Sequence, residues 1–188
     1  MADNINSIVY SKDAVEFVAV AVQYCNFLEN IDDSNSEQLT DRLVKILPLL
    51  YLKANLLPET IMLQDSETEQ IVTEDHYNYI LSGIYGVYGK DDTYLEVFLQ
   101  DMKYSETPIS ASISEDLTDI YQDVKNFLFV YEQGIEENMN DALFVCTENF
   151  KLFWGQKLVN VLRALHSLKY QPETDYMDED INNIDEQW

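Results

Sequence analysis

Apolar residues spaced three and four positions apart dominate two consecutive segments in the second half of the chain. The first segment carries Ile113, Leu117, Ile120, Val124, Phe127 and Tyr131 at this spacing. The second carries Leu143, Cys146, Phe150, Trp154, Leu158, Val161, Leu165 and Leu168. Because such spacing gathers side chains on one face of an α-helix, the sequence predicts helices over 113–133 and 138–168. Residues 134–137 leave room only for a tight reversal, so we expect an antiparallel helical hairpin.

Helix-start signals define the other predicted elements. Ser11, the stretch 34–37 and Thr73 each offer a capping side chain just before apolar residues in helical spacing, and Ser112 does the same for the first helix of the hairpin. A short apolar stretch at 94–99 is interpreted as one further helix. Only 5 Gly and 4 Pro occur in 188 residues, which disfavours a turn-rich all-β fold. The sequence therefore predicts an all-α fold, a single-domain bundle of about six helices over residues 1–170.

The chain is strongly acidic, with 35 Asp and Glu against 11 Lys and Arg and a net charge of −24 at pH 7. A surface with so few cations cannot neutralise a run of phosphates, so we expect no nucleic-acid binding through direct phosphate contact. The same charge disfavours binding to anionic membrane surfaces. No nucleotide-binding signature is present, and we expect no cofactor.

The two ends of the sequence and its cysteines bear on location. The segment 171–188 contains seven acidic residues and no basic residue, and it is interpreted as an acidic C-terminal tail. The N-terminal residues lack the basic region of a secretory signal. Cys25 and Cys146 lie far apart in apolar helical patterns, which is typical of buried reduced thiols. We therefore expect a cytoplasmic protein.

Several strings in the chain match one family. They include ISASISEDLTDIYQDVKNFLFVY, MNDALFVCTENFKLFWGQKLVNVLRALHSLKY and, near the N-terminus, VYSKDAVEFVAVAVQYCNFLE. Over most of residues 8–170 the chain resembles a bacterial domain-of-unknown-function family numbered 5063. The resemblance implies a cytosolic all-helical domain without an assigned activity, and it supplies no catalytic residue to carry over.

Acidic residues on the first helix of the hairpin are the candidates for metal binding. Asp116, Asp119 and Asp123 are three, four and seven positions apart, so their carboxylates lie near one another on one helix. Folding the hairpin would bring Glu148 opposite Asp123. The competing interpretation is that Asp116 and Asp123 flank the apolar seam and pair with Lys157 and Lys151. We favour this second interpretation, in which the chain has no metal site.

Tyrosine is the other abundant residue type, with 13 in the chain. Tyr79, Tyr85, Tyr94 and Tyr104 fall off the predicted core faces and are candidates for an interaction surface. Ordinary packing at the edge of the core is the competing explanation, and it is the one that we favour. His76, three residues after Thr73, is expected to be an exposed residue of a first helical turn.

Three classes of function remain after these exclusions. The first is a non-catalytic module that binds another protein, and it is the one we favour. The second is a metal-dependent hydrolase of the acidic helical-bundle type, and the third is an acidic mimic of nucleic acid. The oligomeric state and the identity of a partner, ligand or substrate do not follow from the sequence.

Overall fold

A computed structural model describes residues 8–31, 35–65, 68–95 and 109–170 of the chain, and they are mostly helical. The α-helices are α1 (Lys12–Glu29), α2 (Ser36–Asn55), α3 (Glu74–Tyr88), α4 (Ile113–Glu132), α5 (Glu136–Asn149) and α6 (Gly155–Tyr170). Strands β1 (Thr93–Leu95) and β2 (Ser110–Ser112) form a small antiparallel sheet in which Tyr94 lies opposite Ala111. The predicted mainly helical class is confirmed.

Side-chain caps begin four of the helices, as the start signals predict. Ser11, Asn35, Thr73 and Ser112 each accept a hydrogen bond from the backbone N–H three residues further on. Each cap satisfies one of the free amides of a first helical turn. Within the stretch 34–37, the capping residue is Asn35.

Helix α4 runs antiparallel to the helical chain that follows it. Asp123 in the middle of α4 contacts Asn149 at the end of α5, whereas Asp116 near the start of α4 contacts Lys157 in α6. Helix α2 is also antiparallel to α6, because Asp41 bonds to Lys169 while the rings of Tyr51 and Phe150 lie 5.2 Å apart. These helices and α1 enclose a core whose largest fully buried side chains are Trp154, Tyr24, Tyr121 and Phe17.

A π-helical turn, Phe150–Trp154, joins α5 to α6 without a break in the helical backbone. The N–H of Gly155 donates to the carbonyl of Phe150, five residues earlier. A Cβ atom at position 155 would lie 2.5 Å from that carbonyl oxygen and 2.9 Å from the Phe150 ring. Glycine is therefore required here because the turn brings the backbone and ring of Phe150 against it.

Residues 56–65 and 68–73, between α2 and α3, include backbone that is bound by polar side chains of α4 and α5. Asn126 accepts hydrogen bonds from the N–H groups of both Ile71 and Val72. Asp141 accepts from the consecutive N–H groups of Leu63 and Gln64 at 2.8 and 3.0 Å. These bonds hold both parts of the connection against the hairpin. The acidic, weakly patterned sequence of the connection does not predict this attachment.

Two sequence expectations change in the structure. The helix predicted over 94–99 is wrong at residues 94–95, which belong to β1, and residues 96–99 lie outside the described residues. Counting α5, the π turn and α6 as one helical run, the described residues contain five such runs, where the sequence predicts about six helices. The acidic tail at 171–188 also lies outside the described residues. In the part of the chain that the structure describes, no helix combines the length and apolar character needed to cross a membrane.

Candidate functional site

Two of the candidate metal-binding carboxylates share a lysine. Nζ of Lys157 lies 2.9 Å from an oxygen of Asp116 and 2.9 Å from an oxygen of Asp119. Each carboxylate also accepts a tyrosine hydroxyl, Asp116 from Tyr94 and Asp119 from Tyr77 at 2.6 Å. The side chain of Asp116 is only 7% exposed, so its charge is compensated in a largely dehydrated site. We call these five residues the Lys157 cluster.

The electrostatics of the Lys157 cluster favour fixed charges. Burial opposes the charge on Lys157, but hydrogen bonds to Asp119 and Asp116 outweigh it and raise the pKa of the lysine. Burial and the bond to Asp119 raise the pKa of Tyr77 above its usual value. A lysine kept protonated and a phenol kept neutral bind and orient their neighbours, and neither is prepared to act as a base near neutral pH.

The other two candidate carboxylates lie in different surroundings. Asp123 accepts a 2.6 Å hydrogen bond from Asn149, and Glu148 pairs with Lys151 at 2.8 Å. The expected pairing of Asp123 with Lys151 is therefore wrong, because Lys151 bonds to the carboxylate three residues before it on its own helical run. Burial raises the pKa of Asp123, and the hydrogen bond from the neutral amide of Asn149 offsets this effect only in part. Among the described residues, no group of three or more His, Cys, Asp or Glu side chains could hold a metal ion.

A second polar network joins α1, α3 and α4, and the sequence did not indicate it. The hydroxyl of Tyr121 donates to Glu29 at 2.7 Å and lies 3.0 Å from Nε2 of His76, while Lys125 pairs with Glu29 at 2.6 Å. Burial opposes ionisation of Glu29, but the bonds from Lys125 and Tyr121 outweigh it and lower the pKa of Glu29. His76 is half-buried against Tyr121, so the expectation that it would be exposed is wrong.

A third polar group is built around Asp92, which is 4% exposed just after α3. Its carboxylate accepts hydrogen bonds from both hydroxyls of Ser112 and Ser114 and from the N–H of Ser114. This carboxylate thus anchors the start of α4 against the turn that follows α3. These hydrogen bonds satisfy the buried carboxylate, so no ligand is needed to explain its burial.

The four candidate tyrosines do not lie in one environment. Tyr79 and Tyr85 are 59% and 56% exposed on α3. Tyr94 is half-buried and bonds to Asp116 in the Lys157 cluster. Tyr104 lies outside the described residues. Tyr79 and Tyr85 thus remain available for an interaction surface, whereas Tyr94 has a contact within the protein.

An apolar groove lies between α1 and α4 and has a volume of about 570 Å³. Its apolar lining comes from Val18 and Val22 on α1, Leu128, Phe129 and Tyr131 on α4, and Ile71 of the connection. Val22 and Ile71 are 40% and 37% exposed. Lys125 and Glu132 contribute charge at the groove. This size is within the range of pockets that bind ligands, and an apolar lining with few polar groups is typical of binding sites.

Most lysines are engaged by acids of the same chain. Seven lysines form ion pairs with Asp or Glu within the described residues, namely Lys12, Lys45, Lys53, Lys125, Lys151, Lys157 and Lys169. Glu132 at the groove has no ion-pair partner in that part of the chain. The surface is consequently acidic, because most of the lysines already form ion pairs with acidic residues of the same chain.

Comparisons with known proteins identify relatives but no activity. The family model described as Domain of unknown function (DUF5063) matches residues 8–171. A crystal structure of protein BF1032 from Bacteroides fragilis has 44% sequence identity and a TM-score of 0.80, over 89% of this chain and 98% of that chain. The search of curated proteins returned no significant match.

Proposed function

The chain belongs to the DUF5063 family, and we propose that it is a non-catalytic module that binds a basic amphipathic helix of another protein in the α1–α4 groove. The observation that carries this proposal is the open apolar groove between the two helices. Grooves of this kind accept the apolar face of a partner helix, whose side chains at helical spacing fill them.

The charge of the protein favours a basic partner. The net charge is −24, and Glu132 at the groove has no ion-pair partner among residues 8–31, 35–65, 68–95 and 109–170. A partner helix with lysines or arginines beside its apolar face would pair with such acids and would be attracted over a long range. An acidic helix of the same shape would be repelled.

The groups with catalytic potential support a binding role more than a hydrolytic one. Lys157 occupies the position between Asp116 and Asp119 where a shared divalent cation would have to lie. Asp123 and Glu148 bond to Asn149 and Lys151 instead of converging on the same point. The Lys157 cluster is therefore interpreted as an element of stability, which connects α4 to α6 and to β1.

A titration with a designed peptide tests the proposal. We expect a helical amphipathic peptide of Leu and Lys to bind, as measured by calorimetry and by backbone amide shifts in α1 and α4. A scrambled peptide of the same composition should bind at least about tenfold more weakly, because it cannot present one apolar face. A peptide with Glu in place of Lys should bind more weakly still.

Matched variants locate the site. Val22→Ser, in the groove, should weaken binding of the Leu/Lys peptide about tenfold. Leu152→Ser should leave binding unchanged, because Leu152 is 67% exposed outside the groove. Equal losses for both variants, or undiminished binding of the scrambled peptide, would show that the peptide adheres non-specifically and would contradict the proposal. Loss of binding only in Tyr79→Ser and Tyr85→Ser would assign the interface to α3 instead.

A further inference from the structure

A second cavity, of about 240 Å³, lies between the connection that follows α2 and the helical run of α5 and the π turn. It is lined by Glu59, Thr60, Phe144, Thr147, Glu148 and Lys151. It shares no lining residue with the α1–α4 groove. An inference about this cavity is therefore independent of the proposed function.

Two hydroxyl groups in this cavity are buried without a hydrogen-bond partner. They are Oγ1 of Thr60 and Oγ1 of Thr147. Among the described residues, these are the buried side-chain nitrogen or oxygen atoms that have no hydrogen-bond partner. A threonine inside a helix commonly bonds to the carbonyl four residues earlier, but the Thr147 hydroxyl does not. A buried polar atom without a partner is costly, so two such oxygens on one cavity favour a ligand that donates hydrogen bonds to both.

The wall that carries Thr60 is held in position by the hairpin. The amide of Asn140 donates to the carbonyl of Ile61 at 2.8 Å, immediately after Thr60. Asp141 accepts from the N–H groups of Leu63 and Gln64 slightly further on. The backbone beside Thr60 is consequently held in place before any ligand arrives, which lowers the entropic cost of binding.

The charges around the cavity leave one carboxylate available. Lys151 is committed to Glu148 at 2.8 Å. Glu59 is exposed and forms no ion pair among the described residues, but it lies close enough to Lys151 to contribute to the raised pKa of that lysine. Two carboxylates and one ammonium give the lining a net charge of −1. The cavity therefore favours a singly charged cation.

We propose that this cavity binds a guanidinium group. A guanidinium carries a single positive charge and five N–H donors in one plane, so it can bond to the Glu59 carboxylate and to both threonine oxygens together. It also stacks on aromatic rings, and the half-buried Phe144 forms part of the wall. An ammonium is a compact, strongly hydrated charge that satisfies the carboxylate but gains less from the ring and from dispersed acceptors.

Titration with N-acetyl-arginine amide, followed by backbone amide and threonine methyl shifts, tests the assignment. We expect a dissociation constant in roughly the millimolar range, with the largest shifts at Thr60 and Thr147. The N-acetyl-citrulline amide has nearly the same shape without the charge, and it should bind at least about tenfold more weakly. Butylguanidinium, which carries the guanidinium group and its single charge without a peptide backbone, distinguishes the source of the group. Binding as tight as that of the capped arginine indicates a free guanidinium compound, whereas weaker binding indicates an arginine within a polypeptide.

Substitutions within the cavity provide the second part of the test. Glu59→Gln and Thr147→Val should each weaken binding of the arginine probe by about tenfold, because each removes one partner with little change of shape. Glu74→Gln removes an exposed carboxylate of the first turn of α3, outside both this cavity and the α1–α4 groove, and should leave binding unchanged. Melting curves of each variant verify that it is folded. Equal binding of the citrulline and arginine probes, or loss of affinity that is the same in Glu74→Gln as in Glu59→Gln, would overturn the assignment. So would the absence of shifts at Thr60 and Thr147.

Discussion

The same substitution, Gly to Ala, should have opposite effects in two helical environments of this protein. Gly155 follows the π turn, where an added Cβ would lie 2.5 Å from the carbonyl oxygen of Phe150. Gly86 lies in α3, where an added Cβ would meet no atom within 4 Å. Alanine is favoured over glycine inside a helix by about 1 kcal/mol, so the intrinsic gain is the same at both sites.

At Gly155 the clash outweighs this gain. Overpacking typically costs about 1–3 kcal/mol. Moving the Phe150 carbonyl away from the clash would also weaken its hydrogen bond with the N–H of residue 155, which costs about 1 kcal/mol. The balance for Gly155→Ala is a loss of about 2 kcal/mol, or roughly 4–8 °C in Tm for a domain of this size. Gly86→Ala should instead gain about 0.5–1 kcal/mol, because nothing opposes its helix propensity.

Urea and thermal unfolding followed by circular dichroism measure both changes in the free energy of unfolding. Trp154 is fully buried, so its fluorescence in a Trp188→Phe background reports whether the π turn rearranges when Gly155 is replaced. A stabilised Gly155→Ala variant with an unchanged Trp154 spectrum would refute the reasoning, because it would mean that the turn yields without cost. A destabilised Gly86→Ala variant would likewise contradict the assumption that its position is open.

Three further predictions concern buried groups, each measured by urea unfolding. Leu117→Asp should destabilise the protein by several kcal/mol, because Leu117 is fully buried in the core. Leu128→Asp should cost less, because Leu128 is half-buried at the groove. Equal losses of stability would contradict this difference in burial. Asp123→Asn should be more stable than the wild type at neutral pH. Burial raises the pKa of Asp123, so ionisation of this carboxyl destabilises the folded state as pH rises above the unfolded pKa near 3.8. The gain should therefore vanish below that pH, and a gain independent of pH would refute this cause. Lys157→Met should lose about 2 kcal/mol, because it leaves the buried Asp116 carboxylate without its cation. The loss is less than for a fully buried pair because the Lys157 side chain is 38% exposed, and unchanged stability would contradict a stabilising role for these ion pairs.

The local features of the helices could be predicted because they depend on neighbouring residues. The caps at Ser11, Thr73 and Ser112 and the apolar spacing of α4 each involve side chains within a few positions of one another. The strand at Tyr94 and Leu95 could not, because its apolar residues suit either a helix or a strand, and its partner is β2, more than a dozen residues away.

The partners of the polar side chains depend on how neighbouring helices are aligned with one another. The spacing of residues along one helix does not specify this alignment. Asp116, Asp119 and Asp123 are close on α4, yet the first two face Lys157 and the third faces Asn149. The π turn contributes to this difference, since one extra residue in a helical turn changes the direction of every side chain after it. Gly155, within a long apolar pattern, is the signal in the sequence that could have revealed it.

The sequence by itself determined a helical, acidic protein, because apolar periodicity, capping residues and net charge act locally or as a sum over the whole chain. Only the tertiary structure decided which carboxylates meet a lysine, which threonines are buried without a partner and which apolar side chains line a groove. The physical reason is that these properties arise where segments far apart in the chain come into contact, and a displacement of a single residue or a fraction of a helical turn exchanges one partner for another.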